Sequence, residues 1–281
     1  MQKFLIAVTA LASLGVTAPQ AAAGDLAAVL ERGEIRLGHR GDAPPFSYLD
    51  AEGQPAGLAV ALCKEIASAI GFREGVDLTT KFVQVTAANR FDALEAGETD
   101  LHCGPASATL GRRETLDFSI LYFVDAAVSL VRPGSYETVF DVEDGPLGVN
   151  KGTTSERMAR DLMTGNGLDG ELKRFAGHGE GLDALVARDI DAYFGDRAIM
   201  QFQIRAKELD GQIEILPDEF SFEPYAMVMK RGHGDLRLAV DRALSEIYDS
   251  GLIYNFIQDE LGDYRLSPLN RSLYQIIGLP G

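Results

Sequence analysis

Between Cys103 and Ser119 the chain reads CGPASATLGRRETLDFS, a short segment holding Gly104, Pro105, the hydroxyls of Ser107 and Thr109, Gly111 and the pair Arg112-Arg113. Guanidinium and hydroxyl groups gathered in a loop suit one chemistry above others, the binding of an anion. The planar fork of an arginine holds both oxygens of a carboxylate at once, which lysine cannot do. Other groups of this kind follow runs that read as strands: His39-Arg40, Thr153 at a helix start, and Asp196 after Asp191-Ala192-Tyr193-Phe194. Arg90 opens the helix that follows Val85. In open α/β sheets ligands sit beyond the carboxyl ends of strands, where all of these fall. Taken singly, each has a plainer reading: Arg40, Arg90 and Arg112 as surface charges, Asp196 and Thr153 as helix caps.

The patterns of covalent and metal catalysis are missing. The chain has no GxSxG elbow, no GxxxxGK[ST] loop and no HExxH pair, and GHGEG at 177–181 lacks GxGxxG spacing. Its four histidines, His39, His102, His178 and His233, show no Cys/His metal spacing, so neither a metal nor a cofactor is expected.

The elements that must position these residues alternate. Strand-like runs at Ile35–His39, Lys81–Val85 and Thr99–His102 interleave with helical patterns at 25–33, 58–70 and 89–96. An apolar run, Leu121–Val131, stops at the turn signal Arg132-Pro133-Gly134-Ser135. The alternation then restarts, with strands at 147–149, 173–176, 190–194 and 225–229 and helices from GTTSE at 152–156, at 181–187, 196–207, 236–248 and 252–261. Two similar α/β halves predict two lobes with a cleft between them, the chain crossing near Pro133-Gly134 and Lys230.

The first 23 residues read as a secretory signal peptide: Lys3, an apolar run from Phe4 to Val16, and a small-residue site at Ala21-Ala22-Ala23. Lys3 is its only charge, so removal leaves 25 basic against 42 acidic residues, a net of −17. Such a surface excludes a nucleic-acid partner and attraction to an anionic membrane face. Cys63 and Cys103 are expected to be buried thiols packed as small hydrophobes, although the compartment permits a disulfide.

The ordered set GHR…PFSY, NR…S…R…DFS, GTTSE and DAYF-x-D, from about Ile35 to Leu261, resembles the periplasmic solute-binding proteins of ABC importers for polar amino acids (family 3), and within them the glutamate/aspartate-binding subset. The resemblance implies the two-lobed, type II periplasmic binding protein fold, α/β in class, with a ligand cleft between lobes joined by two crossing strands. Residues 24–133 and 229–261 would form lobe 1, residues 134–228 lobe 2, and residues 262–281 a C-terminal extension without assigned role. It implies a monomer in the periplasm that binds an acidic amino acid, delivers it to an inner-membrane ABC permease and performs no chemistry on it.

Position by position, Arg112 matches the arginine on the ligand α-carboxylate, Ser107 a hydroxyl contact, and Pro105 a carbonyl facing the α-amino group. Asp196 matches the carboxylate on the ligand ammonium and Thr153 a second hold on the α-carboxylate. Arg40, Arg90 and His178 match the groups around the side-chain carboxylate, with small residues at Ala43 and Ala87 leaving room for them. Arg40 has a competing local partner in Asp42. Three arginines and one aspartate would mirror the two carboxylates and one ammonium of glutamate. At about 1.5–3 kcal/mol per charged hydrogen bond, three or four would reach the about 8 kcal/mol of a micromolar binder.

The chain departs from the subset at Ala87, Asn150 and Gly111, where a hydroxyl, a threonine and an acid are usual. Other readings are a binder of another polar amino acid or dicarboxylate, or an enzyme on the same scaffold. A dehydratase of cyclic acids, for example, would draw its general acid or base from His178 or Asp196.

Overall fold

A computed structural model of the chain describes residues 25–166 and 170–280, so the expected signal peptide lies outside the described residues. The first half runs α1 (Leu26–Arg32), β1 (Glu34–Arg40), β2 (Asp42–Ala43), β3 (Ser47–Leu49), β4 (Pro55–Ala56), α2 (Leu58–Glu74), β5 (Thr79–Val85), α3 (Arg90–Glu95), β6 (Leu101–Cys103), α4 (Leu110–Arg113) and β7 (Leu116–Val131). The second runs β8 (Leu147–Asn150), α5 (Thr154–Asn166), β9 (Leu172–Phe175), α6 (His178–Val186), β10 (Ala192–Asp196), α7 (Arg197–Ala206) and β11 (Glu214–Lys230), followed by α8 (Gly234–Asp249), α9 (Leu252–Leu261) and α10 (Pro268–Ile276).

One eight-stranded sheet carries the order β5-β1-β6-β11-β7-β10-β8-β9. β5, β1 and β6 are parallel at one end, as are β10, β8 and β9 at the other, and each set belongs to one lobe. The antiparallel pair β7 and β11 joins them. Along β7, pairing with β10 begins at Ala127, a few residues before the turn at Pro133-Gly134. Parallel strands with helical crossovers bury both faces, and this explains the near-continuous apolar runs.

β11 is much longer than the expected 225–229. Its first part, EILPDEFSFEP, contains Pro217 and Pro224 and is assigned no element from the sequence. Register shifts lie between Ile215 and Glu219 and between Tyr225 and Ala226. A proline cannot donate to a ladder, and irregular pairing accommodates it.

Cys63 on α2 and Cys103 at the end of β6 form a disulfide, with Cα atoms 6.0 Å apart, where free thiols were expected. Helix and strand pack closely enough to bridge, a proximity that the sequence does not give. Residues 262–280 dock as α10 through Leu273 and Tyr274, while Leu269 and Ile276 stay exposed. Asn270 clips α10 to β7, accepting from Val124 N–H at 2.8 Å and donating to Val124 C=O at 2.9 Å. Among the described residues no helix is long and apolar enough to cross a membrane.

Candidate functional site

A narrow cleft is lined by Arg40, Arg90, Pro105, Ser107, Arg112, Thr153, His178 and Asp196, together with Ala106, Thr154 and Ile199. All eight sequence-predicted residues therefore meet in one cleft, from the end of β1, the start of α3, the β6–α4 loop, α4, the start of α5, the start of α6 and the end of β10. Strand ends and helix starts converge because parallel strands of each lobe point their carboxyl ends the same way.

Arg90 is buried, 2 % exposed, and donates Nη2 to the Gly152 carbonyl at 3.2 Å. Its Nε and Nη1 have no hydrogen-bond partner among the described residues. Burial and the charges of Arg112 and Arg40 push its pKa well down, so the field around it favours an anion. Arg112 donates Nη1 to the Ser107 carbonyl at 2.9 Å, and burial lowers its pKa to about 10 even with Glu223 nearby. Both guanidiniums lie over the Phe91 ring, at 4.2 and 5.0 Å from its centroid. A cation over an aromatic face is attracted by the ring quadrupole, which holds both forks in place. Gly152, at φ +81°, brings its loop against the opposite lobe: a Cβ there would lie 2.7 Å from the Ala87 carbonyl. Only glycine accepts both that conformation and that approach.

Asp196 stands at the N-cap of α7 yet makes no capping bond. Asp125 on β7 takes that duty, accepting from Ala198 N–H at 3.0 Å. Asp196 instead accepts from Ser155 Oγ at 2.9 Å and from the Tyr225 hydroxyl. Burial and then the Glu223 charge raise its pKa to about 6. Burial and the Asp196 charge likewise raise Asp125. Thr153 does cap α5: its Oγ1 accepts from Glu156 N–H at 3.1 Å and donates to the Asn150 carbonyl at 2.7 Å. His178 Nδ1 lies 3.0 Å from the Tyr193 hydroxyl, and burial lowers its pKa to about 4, so the ring is neutral at neutral pH.

Two findings alter the charge balance expected from sequence. Arg40 is held by Asp42, Nε to Oδ1 at 2.9 Å and Nη2 to Oδ2 at 2.8 Å, so it is not a free cation. Glu223 on β11, 1 % exposed, accepts from Ser107 Oγ and from Thr154 Oγ1 at 2.6 Å. Ser107 thus spends its hydroxyl on an internal acid. The three-to-one balance becomes two unpaired arginines facing Asp196 and Glu223. Glu223, Tyr225 and Asp125 escaped notice because they sit on β7 and β11, read from the sequence only as apolar strands or assigned no element. An acid inside a strand, as in Phe222-Glu223-Pro224-Tyr225, was the available signal.

Residues 35–261 match the model of the bacterial extracellular solute-binding proteins, family 3. An L-glutamate/L-aspartate-binding protein of Pseudomonas aeruginosa is 27 % identical over 257 residues, covering 90 % of this chain and 84 % of that one. A glutamate/aspartate import solute-binding protein of Escherichia coli K12 is 26 % identical over 254 residues, covering 86 % and 84 %. Among solved structures, a solute receptor for L-cysteine of Neisseria gonorrhoeae superposes with a TM-score of 0.76 at 28 % identity, covering 88 % of this chain and 98 % of that one.

Proposed function

Because the chain belongs to the bacterial extracellular solute-binding proteins, family 3, we propose that it captures an acidic amino acid in this cleft, outside the cytoplasm, and delivers it to an ABC permease. The observation that carries the acidic assignment is Arg90, a buried guanidinium with two nitrogens unpartnered and two further arginines close by. An unpaired buried donor set is costly, and a carboxylate satisfies it. Arg112 grips the ligand α-carboxylate, helped by the start of α5 at Thr153. Asp196, bordered by the Pro105 carbonyl, receives the ammonium. His178, neutral and fixed by Tyr193, borders the side-chain end as a polar wall.

Replacing Arg90 with alanine is expected to weaken glutamate or aspartate binding about 10- to 100-fold, the loss of one charged hydrogen-bonding group. Glutamine and asparagine, which present no side-chain anion, lose far less. Calorimetry on both ligand pairs checks this, and equal losses for acid and amide would sink the assignment.

Ligand binding also acquires a pH dependence. An ammonium pairs with ionised Asp196, so affinity falls by up to tenfold per unit as pH drops below about 6. The sign for the ligand-free fold is opposite. A raised carboxyl pKa means that the native state takes up its proton before the unfolded chain, so this group adds stability as pH falls from about 6 toward the ordinary carboxylate range. Asp196→Asn removes the affinity slope and reduces the stability slope, to which the raised carboxyl of Asp125 also contributes, measurable as affinity and as melting midpoint against pH.

A further inference from the structure

The Arg40 fork, the first turn of α6 and the Asn150 amide converge on one point, and Asp42 stands there. Its carboxylate takes both Arg40 bonds, and Oδ2 also accepts from Asn150 Nδ2 at 3.2 Å. The backbone N–H of His178, the first residue of α6, donates to the same carboxylate. Burial opposes ionisation, but the Arg40 charge and the His178 contacts hold the Asp42 carboxyl well below the usual range. A guanidinium fork, a helix N-terminal N–H and a carboxamide together form an anion site. α6 has Gly177 at its N-cap, without a capping side chain, so the anion it receives comes from β2 across the cleft. Gln203 Nε2 donates to the Asp42 carbonyl at 2.8 Å and fixes the backbone that carries this carboxylate.

The subsite filled in this way is the far end of the cleft. Arg90 and Arg112 share the Phe91 ring, at 4.2 and 5.0 Å from its centroid, whereas Arg40 is drawn to Asp42 and stands apart from that pair. With the α-carboxylate at Arg112, a side-chain carboxylate meets Arg90 first, and only a longer one extends toward Arg40.

We propose that Asp42 is a specificity-determining residue that occupies the anion subsite at Arg40, leaving Arg90 as the guanidinium for the ligand side chain and selecting aspartate over the longer glutamate. This rests on the acidic-ligand reading above. It places the choice between two acids in a residue that ties up Arg40 and leaves the ligand to Arg90 and Arg112.

The test is calorimetry of aspartate and glutamate on the wild type, Asp42→Ser and Asp42→Asn, with ligand-free melting as the check of folding. The wild type is expected to favour aspartate by about tenfold or more, on the scale that one methylene contributes to discrimination. Asp42→Ser opens the fork and shifts the ratio toward glutamate by about tenfold. Asp42→Asn, which keeps the volume and removes the charge, shifts it in the same direction by less, and carries the test if the serine variant does not fold. A wild-type preference for glutamate, or an unchanged ratio in folded variants that still bind both acids, overturns the proposal alone. Binding of neither acid by the wild type overturns the acidic reading, and this inference with it.

Discussion

Arg112→Ala is expected to lower the affinity for every amino acid that the site accepts by about a hundredfold or more. Truncating one partner of a buried, hydrogen-bonded charge pair costs about 2–5 kcal/mol, and about 1.4 kcal/mol is tenfold. The α-carboxylate is common to all amino-acid ligands, so acid and amide ligands suffer alike, in contrast to Arg90→Ala. The ligand-free protein should not suffer in the same way. Arg112 is a half-buried guanidinium beside the buried Arg90, and its charge depresses the pKa of Arg90. Removing it relieves that repulsion, so the melting midpoint without ligand holds or rises while binding collapses. A variant that melts early and binds weakly would assign Arg112 to the scaffold; calorimetry paired with a melting curve separates the two.

The second large effect belongs to the Cys63–Cys103 bridge. It closes a 40-residue separation, and loop-closure entropy assigns such a cross-link about 4 kcal/mol. Replacing both cysteines with alanine, or reducing the bond, is expected to lower the melting midpoint by on the order of 10 °C for a chain of this size. The consequence reaches the site. Cys103 ends β6, and the next residues, Gly104 to Thr109, are the loop that supplies Pro105 and Ser107. Affinity should therefore fall with stability, by less than for Arg112→Ala. An unchanged midpoint on reduction would remove the bridge from the account.

The class of fold was legible because it is set by local patterns, while the full set of eight residues, His178 among them, came with the family resemblance. Strand and helix periods mark the strand ends, and a parallel sheet brings those ends together. What sequence could not supply was pairing within the cleft. Arg40 and Asp42 are two residues apart, and Gly41 between them leaves the direction of each side chain open. The sequence named Asp42 as a competitor for Arg40, and the structure shows the pair formed, with α6 and Asn150 donating to the same carboxylate. The disulfide was missed for a related reason, since it depends on how closely α2 packs on β6. Glu223 was hidden by prolines that interrupt the strand pattern over the first part of β11. Its role in holding Ser107 and Thr154 appears only when β11 lies beside the β6–α4 loop and α5. The polar network behind the site is built on the two strands between the lobes, so closure of the lobes and arrangement of the acids are linked. A hinge motion that separates α5 from β11 would break the bond between Thr154 and Glu223.

The central claim is that an anionic side chain is selected by an unpaired buried arginine. Its most direct measurement is isothermal titration of the protein, lacking residues 1–23, with aspartate, glutamate, asparagine and glutamine at neutral pH. The account predicts that at least one acid binds in the micromolar range or tighter, with its amide counterpart about tenfold or more weaker. An amide that binds as tightly as its acid would contradict it.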